Sequence, residues 1–116
     1  MADAPAARWD DQRGTRSHPR RDTVLRCWLG EPDLQRFARI TNIGPGGARV
    51  ITANPPPVGT RVELRFRMRP DGPEIHASGE VAWRREGIGG RGGLMGVMFD
   101  VISDTSEVTA FVGEAT

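Results

Sequence analysis

Two stretches of this chain carry residue types that can hold an anion. The first is Arg16-Ser17-His18-Pro19-Arg20-Arg21, with three arginines close together. A guanidinium is always charged, stacks on flat faces and bonds through a planar two-pronged fork. Pro19 biases His18 toward an extended backbone, so Arg16 and Arg20 belong to an extended or turning segment and not to a helix face. The second stretch is Asn42-Ile43-Gly44-Pro45-Gly46-Gly47. Glycine reaches backbone angles that other residues avoid, and proline fixes one angle in advance. The stretch therefore reads as a rigid corner between two strands, whose uncovered N–H groups can form a concave anion nest. Asn42 stands at its entrance with an amide that both donates and accepts. A plain hairpin turn beside a solvated arginine tail gives the same pattern.

Other chemistry is sparse. His18 and His76 have no nucleophile at a recognisable spacing, and the carboxylates are scattered over strand faces and turns. No spacing suits a metal, so neither catalytic nor metal residues are expected. Cys27 lies in a strand-like run and reads as a buried core thiol. As the single cysteine it excludes an internal disulfide and fits a reducing cytoplasm. All 16 basic residues are arginine, yet the net charge is only +1. That balance gives no overall basic field for a nucleic acid polymer. No apolar run is long enough to span a membrane, and the N-terminus lacks the apolar core of a secretory signal. The expectation is a cytoplasmic protein without membrane insertion.

A chain of 116 residues bounds one domain, and 15 glycines with 9 prolines favour short strands over long helices. Residues 1–13 lack an apolar period and read as a flexible tail, with Trp9 its only large apolar group; residues 14–114 form the domain. Strands are predicted at Thr23–Leu29, Gln35–Ile43 and Ala48–Thr52. The next, Thr60–Arg69, has the cleanest pattern: Val62, Leu64, Phe66 and Met68 alternate with arginines and Glu63, as in a strand with one wet face. Glu74–Arg85 is a long strand in which Gly79 marks a bulge or bend, and Leu94–Val101 is the last. The glycines from Gly87 to Gly93 make a hairpin tip. An N-cap among Ser103–Glu107 starts a short helix that buries Val108, Phe111 and Val112. Six strands and one helix predict an all-β fold, an antiparallel barrel or sandwich closed at one end by the helix. Leu64, Phe66, Val81, Val97 and Phe99 are expected to point inward.

With those elements in place, the two polar stretches resemble the PilZ family of cyclic di-GMP receptors. The family pattern is Arg-x-x-x-Arg, followed by Asp or Asn-x-Ser-x-x-Gly. Arg16 and Arg20 match the first part, and Asn42 and Gly47 the second. Val58-Gly59, Gly79-Glu80-Val81-Ala82-Trp83 and Met95-Gly96-Val97-Met98-Phe99-Asp100 also look like the family, over roughly residues 13 to 113. The resemblance implies a six-stranded PilZ-like barrel that binds cyclic di-GMP through Arg16, Arg20, Arg21, Asn42, Gly44 and Gly47, without a further cofactor. It also implies an N-terminal segment that closes on the ligand and reshapes a surface for a protein partner in motility or polysaccharide output, the domain itself being a monomer or weak dimer. Arginine forks fit guanine O6 and N7 and pair with phosphate. Asn42 can meet a guanine edge or brace the turn. One position departs: Gly44 stands where the family has serine. A lost hydroxyl is worth about 1 kcal/mol, so the departure either weakens binding or marks a barrel that docks on partners without the ligand.

Overall fold

The computed structural model describes residues 19–31, 34–88 and 92–114. Six antiparallel strands run in the order β1 (Arg21–Glu31), β2 (Leu34–Gly44), β3 (Gly47–Ile51), β4 (Arg61–Arg67), β5 (Glu74–Arg85) and β6 (Leu94–Ile102). They close into a barrel in the spatial order β1-β2-β3-β6-β5-β4. One helix, α1 (Thr105–Gly113), follows and packs against β2. The six-stranded barrel with a C-terminal helix is the architecture expected from the sequence.

Alternation makes the barrel. In β4 the inward set Val62, Leu64 and Phe66 is buried, as are Ile75, Ala77 and Val81 in β5. Leu29, Ile40, Ile43, Val50, Met95 and Val97 complete a continuous core. Of the five residues expected inside, four are fully buried and Phe99 is partly buried against them. Cys27 is buried too. Burial raises its thiol pKa from 9.0 to about 12, which keeps it protonated and a poor nucleophile at neutral pH.

Close approach of backbones tightens the closure. The β5–β6 register shifts between Ser78 and Gly79, and a Cβ at Gly79 would overlap the backbone of Met98. Gly79 is thus the bend that the sequence suggests, and no larger residue fits there. At the helix start, Asp104 Oδ1 accepts from the Glu107 backbone N–H at 3.0 Å, and Val108, Phe111 and Val112 are the buried stripe. Among the described residues no helix is long and apolar enough to cross a membrane.

Three differences from the sequence reading matter for the site. First, β1 begins at Arg21, so this arginine belongs to the barrel and not to the segment before it. Second, β1 extends to Glu31, opposite Leu34, beyond the strand end expected at Leu29. Third, the β1–β2 register shifts between Asp22 and Leu25. Val24 points outward with Asp22, Arg26 and Trp28 in the regular alternation of β1 and is exposed, although its type suits a core. The tail over residues 1–13, with Trp9, Arg16 and His18, lies outside the described residues.

Candidate functional site

The corner expected between the second and third strands is present: Gly44 pairs with Gly47 across Pro45 and Gly46. A backbone bond from the Phe99 N–H to the Gly46 carbonyl, 2.9 Å, pins it to β6. The reason for its glycines differs from the expected one. Among the described residues the left-handed glycines are Gly59 and Gly92, not those of the corner. A nest needs its N–H groups to converge through alternating backbone hand or a comparable turn, and no left-handed residue supplies that here. What Gly44 contributes is the absence of a side chain. A Cβ there would overlap the Pro19 carbonyl oxygen and lie 2.9 Å from Arg20 Cγ. The segment entering β1 is seated on this glycine, and its seat brings Arg20, half-buried, to the corner.

Asn42 is held by register. It stands opposite Asp22 of β1 and donates from Nδ2 to Asp22 Oδ1 at 2.7 Å. On its other side it faces Arg49 of β3. The Arg49 guanidinium is 3.7 Å from the same Asp22 oxygen and donates from Nε to Thr41 Oγ1 at 3.1 Å. Donation to a carboxylate fixes which way the amide points. The other amide atom, Asn42 Oδ1, is buried and has no hydrogen-bond partner among the described residues. An acceptor left in that state costs about 1–3 kcal/mol. The corner therefore offers one unmet acceptor beside a seated arginine.

Arg21 points to different company. Its guanidinium donates to the Phe111 carbonyl at 2.9 Å, lies 4.1 Å from the centroid of the Phe111 ring and sits 3.6 Å from Glu114. Arg69 also pairs with Glu114. These contacts tie the start of β1 to the end of α1. The structure thus gathers Arg20, Asn42, Gly44 and Gly47 at one end of the barrel, while the Arg21 side chain reaches the helix. Asp22, Arg49 and Thr41 complete the corner and were not singled out from the sequence. Their types carry no motif, and only the strand register puts them there. Among the described residues no group of histidine, cysteine and carboxylate side chains is arranged for a metal.

The model of the PilZ domain matches residues 14–112. The chain belongs to the PilZ domain family. Comparison with curated proteins gives no match. Among solved structures, this PilZ domain is similar to the inhibitor of motility (MotI/DgrA) of Bacillus subtilis, with a TM-score of 0.75 and 19% identity. The likeness covers 86% of this chain and 50% of that one, so the chain spans about half the length of that protein. At this identity the likeness bears on the fold, and it agrees with the closed barrel.

Proposed function

We propose that this PilZ domain is a cyclic di-GMP-responsive binding module which acts through association and not through turnover. Arg20 and Arg16 are the principal contacts, with Arg16 lying outside the described residues. Their forks take the guanine O6 and N7 edges or the phosphates. Asn42 Oδ1 accepts from a guanine N–H, and the small Gly44 and Gly47 let ligand or chain come close. Arg21 relates the occupied corner to α1, because it follows Arg20 directly and holds Phe111 and Glu114. A ligand that draws Arg20 out of its seat shifts the balance between arrangements of the segment and the helix end, which a partner protein in the cytoplasm reads.

The observation that supports this reading is the unmet acceptor on Asn42, buried two residues along β2 from the glycine on which Arg20 is seated. Calorimetric titration of the purified chain with cyclic di-GMP tests it. A saturable heat is expected, lost by roughly 2 kcal/mol or more in Arg20→Ala. Lysine at that position restores little, since it lacks the fork. A second reading is favoured by Gly44: the seat of Pro19 and Arg20 on this glycine suits a barrel that docks on partners without the ligand. No heat at millimolar cyclic di-GMP selects that reading.

A further inference from the structure

Far from the corner, the outer face of β1, β2 and β4 carries an aromatic pair among cations. Trp28 and Phe37 lie opposite each other, stacked with ring centroids 4.0 Å apart and planes at 28°. Phe37 is 66% exposed, and Trp28 borders on exposed at 37%. Arg26 and Arg39 are the next outward residues of the same two strands and also lie opposite each other. Arg65 of β4 lies opposite Trp28. Like charges directly across a ladder are unfavourable for folding, and the exposed parts of the two rings leave apolar area in water.

Most of the other described arginines pair with a carboxylate, although Arg67 and Arg85 do not. Arg21, Arg36, Arg49, Arg61, Arg69 and Arg84 each have a carboxylate within ion-pair distance. Among the described residues, Arg26, Arg39 and Arg65 have none. The β1–β4 ladder ends at Cys27 opposite Phe66, while β1 runs back to Arg21 and β4 on to Arg67. Past that last pair a groove of about 670 Å³ opens, bordered by Val24, Arg26, Trp28, Phe37, Arg65 and Arg67 among others. Its one carboxylate is Glu74, whose Oε1 lies 3.1 Å from His76 Nε2.

We infer that this face docks an extended acidic segment of a partner protein, with an apolar or aromatic side chain set against Trp28 and Phe37 and carboxylates on Arg26, Arg39 and Arg65. The inference stands apart from the cyclic di-GMP reading: Gly44 and Phe37 are roughly 20 Å apart along β2 at the usual rise per residue. Charge chooses the partner's sign, since among the described residues these three neighbouring guanidinium groups have no carboxylate within ion-pair distance. The single exposed aromatic pair and the net charge of +1 favour a short peptide over a nucleic acid, which needs a long basic track. A groove beside a strand that has lost its ladder partner also suits an extended main chain.

The test is amide NMR of the full chain with a synthetic peptide of alternating Glu and Asp around one Phe, its Lys-for-acid counterpart, and a thymidine oligonucleotide. The acidic peptide is expected to shift amides of Val24–Trp28, Phe37–Arg39 and Arg65–Arg67, with affinity falling steeply as salt rises. Arg26→Glu and Arg39→Glu should each weaken it by about tenfold, with unchanged circular dichroism. Arg20→Ala should leave these shifts intact, which separates this inference from the ligand reading. No shift on the face at millimolar peptide overturns the inference, as does equal binding of the lysine peptide. Tighter binding of the oligonucleotide assigns the face to nucleic acid and overturns it too. The same amides shifting with protein concentration alone would make the face a contact between two copies, with the same consequence.

Discussion

Arg20 and Arg26 lie close together on one stretch of chain, yet their surroundings are opposite. At the corner, Asn42 is bonded to Asp22, and Asp22 also faces Arg49. The polar groups there mostly satisfy one another, leaving a single acceptor unmet. On the face, Arg26 looks across the ladder at Arg39, and the exposed surface between them and Arg65 is aromatic. The corner holds an unmet acceptor; the face holds arginines with no carboxylate at ion-pair distance among the described residues. A ligand at the corner must replace internal bonds and a seated segment, so its specificity comes from hydrogen-bond geometry. A partner at the face has little to displace, so its selection comes from charge and apolar area.

The comparison assumes that the outer aromatics are spared from holding the fold together, and phenylalanines on opposite sides of the wall break or keep that assumption. Phe66 is 3% exposed. Phe66→Ala is expected to destabilise by about 3–5 kcal/mol, measured by denaturant unfolding. Phe37→Ala should cost no more than about 1.5 kcal/mol, the worth of an aromatic pair. Comparable losses at the two positions would make Phe37 a structural residue and remove the reason to regard the face as a docking surface.

At the corner, the sharper test is Gly44→Ser. From the sequence, a serine restores a hydroxyl and tightens cyclic di-GMP by about 1 kcal/mol. From the structure, its Cβ takes the space of the Pro19 carbonyl, so the segment carrying Arg20 must leave its seat. Overpacking of this kind costs about 1–3 kcal/mol, and the expected outcome is a destabilised protein whose affinity for the ligand does not rise. A gain in affinity with unchanged stability would show that the seat gives way without loss. On the face, Arg39→Glu replaces a like-charge pair by an opposite one and should stabilise the barrel at low salt by about 0.2–1 kcal/mol.

How far the sequence foretold this arrangement depends on whether a residue's partner is local. The alternation from Arg61 to Met68, the bend at Gly79 and the helix stripe Val108-Phe111-Val112 are all set by near neighbours and were legible. Asp22 beside Asn42 was not, because strand register alone brings them together. The reach of Arg21 to Phe111, at the far end of the described chain, was not legible either; no local pattern encodes a helix docking on the first strand. Trp28 and Phe37 were legible as strand residues, but their stacking on the wet side required the pairing of β1 with β2. Val24 fails for a simpler reason: its type suits a core, but the alternation of β1 sets it on the outer side with Arg26 and Trp28.

Acid separates the two regions by the smallest effect. Among the described residues Asp100 and Asp104 are carboxylates held below their ordinary range. A side-chain hydrogen bond from Arg61 holds Asp100 below the ordinary carboxylate range. The Ser106 hydroxyl, followed by the Glu107 N–H, does the same for Asp104. A carboxyl whose folded pKa is depressed adds stability above its unfolded pKa, near 3.9, and that stability is lost as pH falls through the folded pKa. Both groups are solvent-exposed, so the loss is small and comes late. Ordinary Asp and Glu side chains of an acidic peptide titrate near 4, while the arginines of the face keep their charge. Between about pH 5 and about 3, as those carboxylates take up protons, the peptide should therefore release from the face while the barrel remains folded, seen as amide shifts reverting in an otherwise unchanged spectrum. Retained binding through that window would mean that apolar contact with Trp28 and Phe37 carries the association by itself. Release only together with unfolding would mean that the face has no charge selectivity of its own.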